Sequence, residues 1–297
     1  MQIARQELLP PPFAYMGNKR RLLPQLLPLI PPVTGRFVDL FAGTGSVAVN
    51  VQARHKIVND SDPYLAGLLR AIRDTSPEDF IRQVYVLISE YDLDNLNESR
   101  FYALRGRYNA GREPVVLYTL LLFAINGLFR FNSRGEYNAP KAPWKCRYVS
   151  KIGHLPSYHQ ALRRVRVTSL DYRDIDPNIL TPHDFVYLDP PYENTTAPYN
   201  TTWSIEDANR VRDLADRLDR HNIGFGYSNL LVSKNQKNVS LETWAETRCY
   251  TMHRLEKNYS NCFKTRKDYL PDQEVYITNR PPHGNNQQNT QNQEVNP

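Results

Sequence analysis

Short apolar runs, each closed by a polar or glycine-rich break, recur along this 297-residue chain. The first is Phe37-Val38-Asp39-Leu40-Phe41, which runs through Ala42-Gly43-Thr44-Gly45-Ser46 into Val47-Ala48-Val49. Strand, glycine turn and helix start make the first β-α unit of a doubly wound sheet. The same reading predicts strands at Lys56–Asn59, Arg166–Leu170, Phe185–Leu188, Ile223–Ser228 and Glu274–Thr278. Apolar positions recurring every three to four residues predict helices at Pro63–Arg73, Glu78–Ser89, Glu98–Tyr108, Val115–Leu128 and Ile205–Arg220, the last with Ser204 as its N-cap. The run Leu117 to Ile125 is too apolar for a surface helix and reads as core. Phe129 to Asn138 alternates around a turn near Asn132–Gly135, the pattern of a β-hairpin. Beyond Pro281 the chain is Asn, Gln and Pro with almost nothing apolar, which predicts disorder. The expected class is therefore α/β, with helices on both faces of one sheet and a mainly helical insert carrying the hairpin. Residues 1–74 and 166–280 form the sheet domain, 75–165 the insert and 281–297 the tail.

Composition sets the bounds. At 40% hydrophobic the chain can bury one large core, or one core plus an inserted smaller domain. Three cysteines, Cys146, Cys249 and Cys262, include no C-x-x-C pair, which suits a reduced, cytoplasmic protein. Cys146, His154 and His159 match no common zinc spacing, so no metal is expected. No apolar run approaches the roughly 20 residues that span a bilayer, and Met1–Pro12 lacks the form of a signal peptide. The net charge of +6 is unevenly spread. Between Asn126 and Arg166 nine basic residues (Arg130, Arg134, Lys141, Lys145, Arg147, Lys151, Arg163, Arg164, Arg166) face one acid, Glu136. A local +8 on a slightly acidic remainder is what a phosphate backbone attracts, and the interleaved Phe129, Phe131, Tyr137, Trp144 and Tyr148 favour a nucleic-acid surface over a merely solvated one.

Three motifs carry chemistry. Asp189-Pro190-Pro191-Tyr192 closes the strand Phe185–Leu188, placing a carboxylate and a ring at the strand's carboxyl edge, where open α/β sheets bind ligands. The prolines fix the backbone and delete two amide donors, leaving the Pro190 carbonyl as an acceptor. Two acceptors and a flat ring suit an exocyclic amino group on a heterocycle; the bland reading is a strand followed by a Pro-Pro turn. Gly43 and Gly45 allow a tight turn and close ligand approach, but neither a dinucleotide fingerprint nor a P-loop is complete. Asp60 ends the second strand, about 20 residues after the glycine turn, where an acid holds ribose hydroxyls; it could instead cap the next helix.

Taken in order, these blocks resemble the Dam-type DNA adenine-N6 methyltransferases of the D12 class, alpha group. The resemblance runs from about Tyr15 to Ile277 through Tyr15-Met16-Gly17-Asn18-Lys19, Phe41–Ser46, Asn59-Asp60, Asn126–Pro140, Asp189–Tyr192 and Ser228-Asn229. It implies a Rossmann-like methyltransferase sheet, S-adenosylmethionine as cofactor and double-stranded DNA as partner. Cofactor contacts would fall to Tyr15, Lys19, Asp39, Gly43, Gly45, Asp60 and Asp189; by itself Lys19 reads as a surface lysine. Asp189 and the Pro190 carbonyl would accept hydrogen bonds from adenine N6, and Tyr192 would stack on a base turned out of the duplex. Asn126, Leu128, Arg130, Asn132, Arg134 and Pro140 would contact DNA, with Arg130 forked on a guanine. The hairpin is closely similar to that of members that methylate GATC. Ile125 stands where close GATC members carry an aromatic wedge, and an apolar residue can still wedge. Lys264-Thr265-Arg266-Lys267 is a candidate phosphate contact or a solvated charge cluster.

The expected activity is direct in-line methyl transfer to adenine N6 at GATC or a near variant, by a monomer that carries every part. Two alternatives remain: a methyltransferase for RNA or another exocyclic amine, and a non-catalytic DNA-binding relative. A major-groove hairpin speaks against the first, because the A-form major groove is too narrow. The intact Gly43, Asp60, Asp189 and Tyr192 speak against the second.

Overall fold

The structure is a computed structural model that describes residues 8–192, 203–233, 235–256 and 272–281. Lys264–Lys267 and the tail beyond Pro281 lie outside the described residues. Eight strands form one sheet: β1 (Val33–Asp39), β2 (Ala53–Asn59), β3 (Val165–Thr168), β4 (Phe185–Leu188), β5 (Gly224–Ser233), β6 (Gln236–Lys237), β7 (Thr251–Leu255) and β8 (Gln273–Thr278). The helices are α1 (Leu23–Leu26), α2 (Ser46–Asn50), α3 (Pro63–Asp74), α4 (Pro77–Glu90), α5 (Glu98–Gly111), α6 (Pro114–Phe123), α7 (Val149–Ile152), α8 (Leu155–Leu162), α9 (Ile205–Arg220) and α10 (Val239–Thr247).

The strand order is β3-β2-β1-β4-β5-β8-β7, with β6 paired to β5. The first five strands in sequence run parallel, and β8 and β7 are antiparallel additions. The order reverses between β1 and β4, so the crevice outside their carboxyl ends is the switch point at which such sheets bind ligands.

Strict alternation along the strands sorts side chains to two cores. Phe37, Phe185, Tyr187 and Tyr276 face one core, built with α2 to α6 and α8. Val38, Val186, Leu188, Val275 and Ile277 face the other, built with α9 and α10. Helices thus cover both faces of the sheet, and the fold is the Rossmann-like methyltransferase type. Capping explains where the helices start. Ser204 and Asp207 form a full capping box on α9, and Asp62 accepts from the Tyr64 and Leu65 amides at the start of α3. At the free edge, Arg70 and Arg73 donate to the outward carbonyls of Val167 and Val165, which caps the unpaired side of β3.

Several expectations need correction. The core helix predicted at Val115–Leu128 ends at Phe123. Ala124 is extended and bridges to Lys141, while Asn126 and Gly127 take positive φ values of 52° and 63°. An added Cβ on Gly127 would lie 2.5 Å from the Ala14 Cβ, so only glycine fits. The hairpin is present as a turn with the single bridge Phe131↔Tyr137. The strand expected at Arg166–Leu170 is Val165–Thr168, and Ile223–Ser228 extends to Ser233. Helices α1, α7, α8 and α10 and strands β6 and β7 have no counterpart in the sequence reading.

The basic stretch does not form one surface. Lys141 is buried, its Nζ donating to the Asn95 carbonyl. Arg163, Arg164 and Arg166 are exposed at the start of β3, at the opposite end of the parallel strands from the crevice. There burial, and then the charge of Arg164, lowers the pKa of the Lys56 ammonium.

Candidate active site

Two of three acids on one sheet face pair with a single lysine. Asp39 follows Phe37 by two, Asp189 follows Tyr187 by two, and Glu274 precedes Tyr276 by two, so all share the face of the first core. Lys19 reaches Asp189 and Glu274 from a 3-10 turn, Lys19–Arg21, and is only 5% exposed. Its Nζ lies 2.8 Å from Asp189 Oδ1 and 3.6 Å from Glu274 Oε2. It also donates to the Tyr192 hydroxyl and sits 4.7 Å from that ring's centroid. Burial alone would lower this ammonium, but Asp189, Tyr192, Glu274 and Tyr187 outweigh it and hold the pKa well above the ordinary value. Lys19 is therefore a permanent buried cation gripping both ends of the D-P-P-Y turn, and the surface-lysine reading falls.

The glycine loop forms the facing wall. Gly43 has φ +54°, and a Cβ there would lie 3.2 Å from the Tyr15 ring. Gly45 has φ +78° and starts α2, with Val58 behind it; it shapes the loop without lining the crevice. The Asn18 amide donates to Thr44 Oγ1 and Ser46 Oγ, tying the Tyr15–Lys19 turn to the loop. Asp60 Oδ2 accepts from the Gly43 amide at 2.9 Å and Oδ1 from the Asp62 amide at 3.0 Å. Helix capping belongs to Asp62, so Asp60 is released from that alternative. Burial pushes the Asp60 carboxyl up to about 6, against the two amides.

These parts enclose a cleft of about 440 Å³, lined by Tyr15, Lys19, Asp39, Gly43, Asp60 and Asp189 to Tyr192, among others. At its floor Asp39 is 1% exposed, and among the described residues its Oδ1 has no hydrogen-bond partner. Burial first, then the charge of Asp189, raises its carboxyl well above the usual range. A buried acceptor in this state favours a ligand that brings a donor or a positive charge. Polar and apolar walls, a left-handed glycine loop and a strand-end acid suit a nucleoside-bearing cationic ligand. Among the described residues no group of three or more His, Cys, Asp or Glu side chains is arranged to hold a metal ion, and no described helix is long and apolar enough to cross a membrane.

Of the DNA-contact candidates, none lines this cleft. Asn126 is exposed and Leu128 half-buried; the Leu128 carbonyl accepts from the Tyr137 hydroxyl and the Pro140 carbonyl from the Ile125 amide. Arg130 places Nε and Nη2 on the side chain and carbonyl of Asn138, both at 2.8 Å. Asn132 builds the turn: its Oδ1 accepts from the Arg134 and Glu136 amides. Arg134 is 81% exposed. The hairpin residue that does reach the cleft is Phe131, stacked on Tyr64 at 4.4 Å between centroids. Sequence reasoning missed Phe131, Tyr64, Asn18 and Glu274. Asn18 stands in the Tyr15–Lys19 motif and Phe131 in the hairpin, neither with a site role of its own, Glu274 is a lone acid in an apolar strand, and Tyr64 carries no signal. Ser228 and Asn229 are buried, and the Ser228 hydroxyl is 2.7 Å from that of Tyr187, just before Asp189.

Residues 15–261 match the family described as D12 class N6 adenine-specific DNA methyltransferase. The chain is 34% identical over 277 residues to the modification methylase StsI of Streptococcus sanguinis, covering 90% of this chain and 42% of that protein. It is 35% identical over 279 residues to the type II methyltransferase M.FokI of Planomicrobium okeanokoites, with the same two coverages. To the DNA adenine methylase of Serratia marcescens it is 29% identical over 197 residues, covering 63% of this chain and 71% of that one. The chain thus spans about two-fifths of the length of the first two relatives. Because the family match begins at Tyr15 and runs through the glycine loop, the hairpin and the D-P-P-Y turn, the chain belongs to the D12 class of N6 adenine-specific DNA methyltransferases.

Proposed function

We propose that this chain transfers a methyl group from S-adenosylmethionine to N6 of an adenine in duplex DNA, at GATC or a near variant, after the base has turned out of the helix. The observation that carries the reading is the shared cleft: the D-P-P-Y turn, the glycine loop and Asp60 line one cavity of about 440 Å³ at the switch point of the sheet. Its residues fit the cofactor, since the buried Oδ1 of Asp39 awaits a donor and Gly43 leaves a cradle that a side chain would fill. Bound there, S-adenosylmethionine supplies an electrophilic methyl group on a sulfonium.

The chain's own residues do the rest. Tyr15 and the Gly43 turn shape the wall, and Asp60 holds the ribose hydroxyls. Adenine N6 is a poor nucleophile because its lone pair is delocalised into the ring. Asp189 and the Pro190 carbonyl each accept one hydrogen bond from N6, drawing that nitrogen toward tetrahedral geometry; the one proton that N6 sheds on methylation passes to solvent, and Tyr192 supports the base by its ring. Lys19 keeps Asp189 ionised and in place. Catalysis is then positioning and electrostatics, with no covalent enzyme intermediate. The 75–165 segment reads the DNA. Arg130 exchanges Asn138 for a guanine edge, Leu128 or Pro140 meets a thymine methyl, Asn126 fills or probes the gap left by the base, and Arg134 contacts phosphate. Asn132 keeps the turn that presents them. One chain carries every part and acts as a monomer.

Labelled methyl transfer to duplexes that contain or lack GATC, and to RNA, tests the reading. The expected result is N6-methyladenine in GATC-bearing duplexes, lost in Asp189→Ala while DNA binding persists. Methylation of RNA alone, or transfer untouched in Asp189→Ala, would overturn it.

A further inference from the structure

We infer that Glu274 is a positioning residue for methyl transfer, acting through Lys19. The inference rests on the function proposed above. Glu274 lies in β8, between Leu230 of β5 and Leu255 of β7, and is 3% exposed. Its chain neighbours Val275, Tyr276 and Ile277 are fully buried. A carboxylate in such a strand is unfavourable for folding by several kcal/mol unless it is paired, and an apolar residue of similar volume is commonly as stable or more so. Stability therefore gives no reason for an acid here.

The site gives one. Lys19 has three N–H donors on a flexible stem. One group of partners, Asp189 and the Tyr192 hydroxyl, belongs to the D-P-P-Y turn that must receive the base. When Asp189 takes up an N6 hydrogen bond, its charge is shared between substrate and lysine. Glu274, on the rigid sheet and at an ion-pair distance of 3.6 Å, gives the ammonium an anion that belongs to β8 and not to the turn. It thereby fixes the point from which Lys19 aims Asp189. With Glu274 neutral, Lys19 keeps its charge through Asp189 but loses its third tether, and the carboxylate follows the lysine's wandering.

The experiment compares Glu274→Gln, Glu274→Asp and Lys19→Met with the unaltered chain, and includes the double variant Lys19→Met/Glu274→Gln. The readouts are kcat, KM for duplex DNA, the dissociation constant for S-adenosylmethionine, and the 15N NMR signal of the Lys19 ammonium. Glu274→Gln is expected to lower kcat about tenfold or more, as small misplacements of reacting groups do. KM and cofactor affinity stay within about twofold, because Glu274 is not among the residues that line the cleft. The Lys19 ammonium signal, slowly exchanging in the unaltered chain, broadens in Glu274→Gln and is partly restored in Glu274→Asp. In the Lys19→Met background the second substitution adds nothing further. An unchanged kcat in well-folded Glu274→Gln would overturn the inference, as would full additivity with Lys19→Met. A loss of melting temperature that accounts for the lost activity would reduce Glu274 to a structural acid. Failure of the unaltered chain to methylate any duplex would instead refute the proposed function, and the ammonium signal would still report on the tether.

Discussion

Replacing Asp60 with asparagine separates two pH dependences that run in opposite directions. The carboxyl is raised to about 6 because burial outweighs the amides of Gly43 and Asp62. Relative to an ordinary aspartate near 4, that corresponds to roughly 3 kcal/mol between the ionised and neutral forms. Discounted for the carboxylate's remaining contact with solvent, it is about 2 kcal/mol. Ribose hydroxyls are donors to the ionised form, so cofactor binding needs Asp60 charged. The ionised fraction falls from about 0.9 at pH 7 to about 0.1 at pH 5, and apparent affinity is divided by that fraction, so the dissociation constant rises about tenfold over this range. Folding stability moves the other way. A folded value above the unfolded one means that the folded chain binds more protons between about pH 4 and 6. The contribution of Asp60 to stability is therefore fully present below that window and is lost as pH rises through about 6. Calorimetric titration of S-adenosylmethionine from pH 5 to 8, paired with thermal unfolding of the free protein, measures both slopes. Asp60→Asn should flatten both. A flat dissociation constant in the unaltered chain, or an undiminished slope in Asp60→Asn, would refute the assignment of Asp60 to the ribose.

Other outcomes follow from the geometry. Arg130→Ala should relax discrimination at one base pair by about 1–3 kcal/mol, measured as relative kcat/KM across single-substituted duplexes; equal weakening on every sequence would make Arg130 a phosphate contact. Asn132→Ala, by contrast, should weaken all duplexes alike, because its carbonyl organises the Arg134 and Glu136 amides of the turn. Gly43→Ala must adopt φ +54° against the Tyr15 ring, a strain of about 1–2 kcal/mol, seen as weaker cofactor binding with DNA affinity unchanged. Asp184→Ala removes the acceptor for the Arg36 amide and guanidinium and for Thr181, at the strand ends remote from the cleft. It should destabilise the fold by about 2–4 kcal/mol in denaturant titration while leaving cofactor affinity intact.

The parts of this fold that local chemistry dictates were legible in the chain. β4 stands where its apolar run said, α9 begins at the Ser204 cap, and the central strands alternate as half of each core requires. The parts that tertiary packing dictates were not. β7 reads Thr-Met-His-Arg-Leu, without an apolar stripe, and is a strand because β8 offers it an edge. Helix α8 hides in a basic stretch, and its burial comes from packing on α3. In the site, motif order identified Asp189, Gly43 and Asp60. It could not show that Lys141 is buried, that Asn132 spends its oxygen on the turn, or that a glutamate near residue 274 meets a lysine near residue 19. Those facts depend on which distant strand lies beside which.

The Lys19 clamp bears on when the protein becomes competent during its own synthesis. Its partners Asp189 and Tyr192 follow it by about 170 residues in the chain, and Glu274 comes from β8, the last strand described. A ribosome has therefore to release nearly the whole sheet before the ammonium can collect its anions. Until then the turn that would receive a base has no fixed carboxylate. The clamp is thus closed by the last strand described, after the loop and turn that it joins are already in place.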